Sequence, residues 1–232
     1  MTGRSLESSA ARRSFIGRLA SGVAGLGAAI GLGAPSLQAQ SGQWQPARHE
    51  QDDWLDKLPG KHRLIFDTTT PDGFGQGLAF ANNFFNVNQS GYGLQNGDLA
   101  VVIVVRHLST PCGFNDAMWA KYGSPMALQA GLPDPKTRQA PKINVYNSAD
   151  YGIELPNRSV TIESLAKRGL VIAVCQVATR GYATTIANVL GGNVDAIYTE
   201  LTSNLVSNSR MVPAGIVAVN RAQERGYSLA RA

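Results

Sequence analysis

Cys175 is the residue of this sequence whose type and position best suit reactive chemistry. It ends the apolar run of residues 170–175 (LVIAVC), and Arg180 follows a few residues later. The thiolate is the reactive form of cysteine, and it is favoured by N–H groups at a helix N-terminus and by a neighbouring cation such as Arg180. A free cysteine also packs well in a core as a small apolar side chain. The position therefore leaves open a reactive thiol and a packed one.

Cys112 and His107 lie in the segment 107–113, directly after another apolar run. A disulfide or resolving pair between Cys112 and Cys175 is one hypothesis in an oxidising compartment, and it requires Cα atoms within ~7 Å. Two separate thiols are the alternative. His107 could act as a general base or metal ligand, but no second histidine or carboxylate has ligand spacing around it. We predict no metal site and a structural His107 bonded to loop backbone.

Residues 73–77 (GFGQG) suggest a dinucleotide-binding loop, but the motif is incomplete. Leu78 stands where the G-x-G-x-x-G fingerprint has its third glycine, and Arg106 and His107 stand where an acidic residue is expected. We therefore predict no cofactor, and instead a tight turn that opens a helix and whose N–H groups could still hold a small anion. Asp67, at the end of the first apolar run, is a candidate binding residue, and with His107 it could serve an undescribed enzyme.

Apolar runs separated by helical patterns must position these side chains. Residues 99–105 (LAVVIVV) suit a strand covered on both faces. Strands are predicted at 63–67, 99–105, 170–175 and 211–214. Helices are predicted at 75–88, 114–122, 182–190, 194–207 and 215–225, with another from an N-cap at Ser159 to Gly169. A turn is predicted at 70–73, and an irregular proline-rich insertion at 124–141.

Strands that alternate with helices predict right-handed βαβ units and an α/β fold with a mostly parallel sheet. Ligands of such sheets bind beyond the carboxyl ends of the strands. The predicted site region therefore consists of the segments 67–77, 106–114, 175–182 and 213–215.

The first forty residues have the pattern of an export signal. Arg12 and Arg13 precede the uncharged apolar run 19–32, and small residues follow at 35–39. The run is shorter than the ~20 residues of a membrane-spanning helix. An arginine pair before a weakly hydrophobic run is typical of twin-arginine export, with an ordinary secretory signal or an uncleaved anchor as alternatives. We predict a signal peptide at 1–39, a polar lead-in at 40–61, one domain at 62–232, and a periplasmic location.

Most of the net positive charge of the chain lies in that predicted signal. The formal charge is +5 at pH 7, and residues 1–39 carry four arginines and one glutamate, which leaves about +2 for the rest. No basic stripe with interleaved aromatic residues remains, so nucleic acid is not an expected partner. No later apolar run approaches membrane length, so we expect no membrane segment after signal cleavage.

Two stretches resemble the DsrE/DsrF/TusD family of sulfur-relay proteins. The first is residues 165–175 (LAKRGLVIAVC) followed by Arg180 and Gly181, and the second is 211–217 (MVPAGIV) with 221–227 (RAQERGY). The first strand and residues 115–119 are similar more loosely. The resemblance implies a three-layer α/β sandwich with a mostly parallel sheet of about five strands, often in homo-oligomers. It also implies that Cys175 accepts persulfide sulfur from a donor protein and passes it to an acceptor protein.

The sequence departs from this family in its predicted export and in the 124–141 insertion. Family members typically work in the cytoplasm, and the insertion has no counterpart with a known role. Three classes of function therefore stay open: a sulfur carrier acting through Cys175, a non-catalytic binding or assembly module of the same fold, and an undescribed enzyme using Asp67 and His107.

Overall fold

The protein is described here by a computed structural model covering residues 45–232, so the predicted signal peptide (1–39) and the start of the predicted lead-in lie outside the described residues. The strands are β1 (His62–Thr68), β2 (Leu99–Val105), β3 (Val171–Cys175), β4 (Ser209–Val212) and β5 (Ser228–Arg231). The helices are α1 (Trp54–Lys57), α2 (Pro71–Tyr92), α3 (Asp116–Ala130), α4 (Ile162–Ala166), α5 (Gln176–Leu190), α6 (Val194–Ser203) and α7 (Gly215–Gln223). None of the helices in residues 45–232 combines the length and the apolar character needed to cross a membrane.

The five strands form one sheet in the order β4-β3-β2-β1-β5, and every neighbouring pair is parallel. Side chains of α2 to α6 build the hydrophobic core on one face of the sheet, which we call the α5 face. Side chains of α1 and α7 build a separate core on the other face, the α7 face. The chain is therefore a three-layer α/β sandwich with an all-parallel sheet, and the predicted fold class is confirmed.

The central strand β2 follows directly from its sequence. All seven residues of Leu99–Val105 are buried, and β-branched side chains pack well on a pleated surface covered on both sides. Successive side chains point to opposite faces, so Ile103 belongs to the core of the α5 face and Val104 to that of the α7 face. The strand predicted at 99–105 is confirmed.

The path of the chain reverses once, and this reversal creates the site discussed below. From β1 to β4 the chain moves across the sheet in one direction, and it then returns past the whole sheet to place β5 beside β1. Crossovers between parallel strands are right-handed, so a change of direction moves the connecting helix to the other face. As a result α5, which follows β3, and α7, which follows β4, lie on opposite faces.

The turn predicted at residues 70–73 is wrong, because these residues start α2. Thr70 caps the helix by accepting the N–H of Gly73 on Oγ1 at 3.0 Å, and Pro71 occupies the first turn, where its missing N–H is not needed. A Cβ on Gly75 would lie 2.6 Å from the Tyr146 ring, so close packing requires glycine there. The glycine-rich run is the packed first turns of a helix, and the predicted anion-holding loop is not formed.

The proline-rich insertion is partly helical, which differs from the prediction. Helix α3 continues from Asp116 through Pro125 to Ala130. An interior proline removes one helical hydrogen bond and is unfavourable by ~3 kcal/mol. Met126, Ala127 and Ala130 are all buried, and full burial of a methionine alone stabilises by about 1.5–3 kcal/mol. The apolar face of the helix therefore outweighs the proline.

The predicted lead-in contributes to the α7 layer. Trp54 and Leu55 are buried in the core of that face, and the Tyr227 hydroxyl donates to the Leu55 carbonyl at 2.7 Å. Arg225, itself buried, holds Asp56 at 3.0 Å. Strand β5, which the sequence analysis did not identify, lies directly after Tyr227 and is mostly exposed. Its four residues, SLAR, form neither a long apolar run nor a regular alternation of apolar and polar side chains.

Candidate functional site

The site lies where β3 and β4 end side by side. Cys175 pairs with Val212 as the last residues of the two strands, and the chain then leaves towards opposite faces through α5 and α7. A crevice opens at such a switch point, and this is where ligands of open α/β sheets bind. A depression of about 490 Å³ opens here, and it is lined by Gln176, Val177, Arg180, Tyr198 and Pro213.

Cys175 is the N-cap of α5. Its Sγ accepts the N–H of Ala178 at 3.5 Å, and the Thr179 hydroxyl donates to its carbonyl at 2.8 Å. Helix α5 begins at Gln176, directly after the strand, and not near 182 as predicted. Cysteine is not among the usual N-cap residues, so the residue types around Cys175 do not indicate this helix start. The N-terminal end of a 15-residue helix therefore meets the sulfur, and its partial positive charge stabilises negative charge there.

Arg106 is the cation beside Cys175. Val105 pairs with Val174, so the next residues along the two strands, Arg106 and Cys175, are neighbours beyond the end of the sheet. Strand alternation places Arg106 with Val104, on the α7 face. A Cβ on Gly215 would lie 2.7 Å from the Arg106 Cβ, which shows how closely the first residue of α7 packs over this side chain.

Asp67 holds Arg106 in place. Arg106 Nε and Nη2 donate to the two carboxylate oxygens of Asp67 at 2.7 and 2.8 Å, and Asp67 is buried. This hydrogen bond raises the pKa of the Arg106 guanidinium, burial acts in the opposite direction, and the charges of Asp67 and of a Cys175 thiolate raise it further. Cys175, Arg106 and Asp67 therefore form one electrostatic unit across three strand ends.

Arg180, predicted to be the activating cation, has a different position. Its guanidinium pairs with Asp195 at 2.6 Å and lies 5.0 Å from the centre of the Tyr198 ring. It therefore forms part of the wall of the depression, and the charge next to the sulfur comes from Arg106. Sequence reasoning missed Arg106 as a site residue. Side chains alternate along β2, so Arg106 lies on the same face as Val104. With β3 as the parallel neighbour of β2, this alternation would have indicated Arg106.

Cys112 is separated from Cys175 by the sheet. Both cysteines are free thiols, and Cys112 lies fully buried in the core of the α5 face. Burial raises the pKa of the Cys112 thiol. Alternation along β3 places Cys175 on the face of Ala173, the α7 face. The hypothesis of a disulfide or resolving pair is therefore not supported, and the alternative of two separate thiols describes the structure.

His107 is not part of the unit. It has a left-handed backbone (φ 56°) and an exposed side chain, and within residues 45–232 this side chain makes no hydrogen bond to the loop backbone, contrary to the prediction. Asp67 is bound to Arg106 and not to His107, so the pair suggested for an undescribed enzyme is not formed. In residues 45–232, no three His, Cys, Asp or Glu side chains cluster in a way that could hold a metal ion.

Comparisons with known proteins leave the chain without a family. No protein-family model matches it, and no curated protein matches it. A solved structure with some likeness is that of a protein of unknown function from Methanobacterium thermoautotrophicum. It is 13% identical in sequence, the match covers 74% of this chain and 100% of that chain, and the TM-score is 0.38. A likeness this distant carries no argument, so the resemblance to sulfur-relay proteins stays a prediction.

Proposed function

We propose that this protein is a sulfur carrier whose Cys175 accepts a sulfane sulfur as a persulfide and passes it to a second thiol. The observation that carries the proposal is the placement of the Cys175 sulfur. It lies at the switch point of the sheet, accepts the Ala178 N–H at the start of α5, and has the Arg106 guanidinium as its charged neighbour. Dipole and cation both stabilise negative charge on sulfur, the form in which a thiol or persulfide reacts.

The proposed transfer exchanges one sulfur–sulfur bond for another. The Cys175 thiolate attacks the terminal sulfur of a donor persulfide, R–S–SH, and a new S–S bond forms at Sγ. The S–S bond of the donor breaks, and its electron pair leaves with the donor sulfur, which takes up a proton as R–SH. Transfer to an acceptor thiolate repeats the same exchange with Cys175 as the leaving group, so no external oxidant or reductant is needed.

Asp67 and Arg106 would tune this exchange without touching the transferred sulfur. The bidentate contact fixes the guanidinium in one orientation, and such charge-assisted pairs give geometric specificity as well as stability. Arg106 is therefore proposed as a positioning residue that compensates the charge developing on Cys175.

The surroundings of the site suit a protein partner. Val177 and Ile216, from the first turns of α5 and α7, have exposed fractions of 68% and 57%. Contiguous exposed apolar patches are typical of protein interaction surfaces, and we propose that these two residues belong to one. We propose that the donor and acceptor dock here, that the protein forms homo-oligomers as the family resemblance implies, and that twin-arginine export brings it to the periplasm.

One observation favours a second candidate function, a non-catalytic binding or assembly module. Cys175 retains only 6% of its surface, and a thiol that stays covered in solution would be a packing residue. In this alternative the depression at the end of β3 and β4 binds a partner, and the sulfur takes no part.

Alkylation of the native protein separates the two candidates. We expect iodoacetamide at neutral pH to label Cys175 in native Cys112→Ser protein and to leave Cys112 unlabelled in native Cys175→Ser protein, because Cys112 is fully buried. Labelling of both cysteines after denaturation serves as the control. If native Cys175 reacts as slowly as Cys112, the carrier proposal is wrong and the packing role is correct.

A further inference from the structure

A second pocket lies at the opposite, amino-terminal edge of the sheet. It has a volume of about 360 Å³, and its lining includes Asn96 and Gly97 before β2, Lys167, Arg168 and Gly169 before β3, and Asn208 before β4. The pocket is separated from Cys175 by the length of β3, so it is independent of the proposed sulfur chemistry.

Arg168 lines this pocket, and its guanidinium is held by neutral groups, of which Asn96 also lines the pocket. Its guanidinium donates to the side-chain oxygens of Asn82 at 3.0 Å, Asn86 at 2.8 Å and Asn96 at 3.3 Å. It also stacks on the Phe85 ring, 4.6 Å from the ring centre. Three amide oxygens and an aromatic face fix the orientation of the side chain, yet none of them carries a negative charge.

The charge of Arg168 is therefore not neutralised by the part of the chain that the structure describes. Within residues 45–232 no carboxylate lies within 4.0 Å of its guanidinium, although several other arginines there have such a partner. Burial lowers the pKa of Arg168, so the free protein holds this cation at an energetic disadvantage. An anion in the pocket would remove that disadvantage.

Lys167 adds a second positive charge to the same wall. Its ammonium is paired with Glu163 at 2.9 Å, and both side chains are mostly exposed, so this contact is weak and easily exchanged. A planar guanidinium with a flexible ammonium beside it matches the geometry and charge of a tetrahedral oxyanion.

We propose that the pocket formed by Arg168, Lys167, Asn96 and Asn208 binds a small tetrahedral oxyanion, a phosphate or a sulfate group. The Nη2 nitrogen, which donates to none of the three asparagines, is the guanidinium donor left for the ligand, and the asparagines hold it in a fixed orientation.

Titration of the protein with inorganic phosphate and, separately, with inorganic sulfate tests the proposal. Backbone amide shifts of Gly97 and Gly169 are followed by NMR at constant ionic strength, maintained with sodium chloride. We expect at least one oxyanion to cause saturable shifts, and Arg168→Gln to weaken its binding by about tenfold or more, since a hydrogen bond to a charged group is lost. The matched control Arg48→Gln, which removes one exposed arginine at 55% side-chain exposure, should bind as the wild type does.

A second variant keeps the test valid if Arg168→Gln does not fold. A Cβ on Gly97 would meet no atom within 4 Å, so Gly97→Leu is expected to fold, retain Arg168 and obstruct the pocket. Weaker binding in Gly97→Leu supports the proposal. Shifts that do not saturate for either anion, or equal affinity in wild type and both pocket variants, would overturn it.

Discussion

The Asp67–Arg106 pair makes the most quantitative prediction, because its geometry and burial define what Asp67→Asn removes. Breaking a fully buried ion pair destabilises a protein by about 3–5 kcal/mol. The Arg106 side chain is 26% exposed, so water can solvate part of the unpaired guanidinium. The asparagine side chain also still offers the guanidinium one carbonyl oxygen. We therefore expect Asp67→Asn to lower the free energy of unfolding by about 2–3 kcal/mol.

Urea unfolding followed by circular dichroism measures this change. With a denaturant slope of about 2 kcal/mol per molar urea, the midpoint should fall by about 1–1.5 M. The matched control is Asp195→Asn, which breaks the exposed pair with Arg180, where Asp195 is 75% exposed. Such surface pairs contribute little, so its midpoint should hardly move. Equal midpoint shifts in the two variants would refute the central placement of Asp67 and Arg106 at the buried strand ends.

Two further predictions concern packing and pH. Gly113→Ala should lower Tm, because the new Cβ would lie 2.7 Å from Val174 Cγ2 and overpacking a core costs about 1–3 kcal/mol. Gly181→Ala, at an open position of α5, should instead raise Tm. Calorimetry that shows a Tm change of the same sign for both variants would contradict the packing. The hydrogen bond from Lys121 lowers the pKa of Glu200 below its ordinary value of 4.5, so this contact stabilises the fold above that value and the stabilisation is lost as the pH falls. The Tm difference between wild type and Glu200→Gln should therefore shrink between about pH 7 and about pH 3, and a difference independent of pH would contradict the assignment.

The sequence was sufficient for the central sheet, because buried parallel strands are continuous apolar runs. Residues 99–105 and 170–175 could be identified in this way, and helices between them implied parallel pairing. Strand β5 and helix α1 could not be predicted, since neither has a long apolar pattern. Both depend on tertiary contacts instead, such as the hydrogen bond from Tyr227 to the Leu55 carbonyl.

The candidate site was predicted in part. The rule that parallel strands gather their carboxyl ends at one edge brought Asp67 and Cys175 to the same edge, as observed. It could not tell which cation would face the sulfur, because that depends on side-chain direction at the strand ends. Arg106 is the neighbour of Cys175 in strand register and binds Asp67 through its guanidinium, whereas Arg180 pairs with Asp195.

The same dependence on side-chain direction explains why Cys112 does not lie next to Cys175. Its loop was correctly placed at the carboxyl edge, but its side chain enters the core of the α5 face, away from Cys175. Nearness along a sheet edge therefore says little about whether two thiols can meet, since the sheet itself can stand between them.

Mass spectrometry of the protein after exposure to a persulfide donor tests the sulfur-carrier proposal most directly. The wild type and Cys112→Ser should each gain the mass of one sulfur atom, removable by reductant, and Cys175→Ser should gain none. Arg106→Gln should load more slowly while unfolding cooperatively. A Cys175→Ser protein that still takes up the sulfur, or a wild type that takes up none, would contradict the role of Cys175.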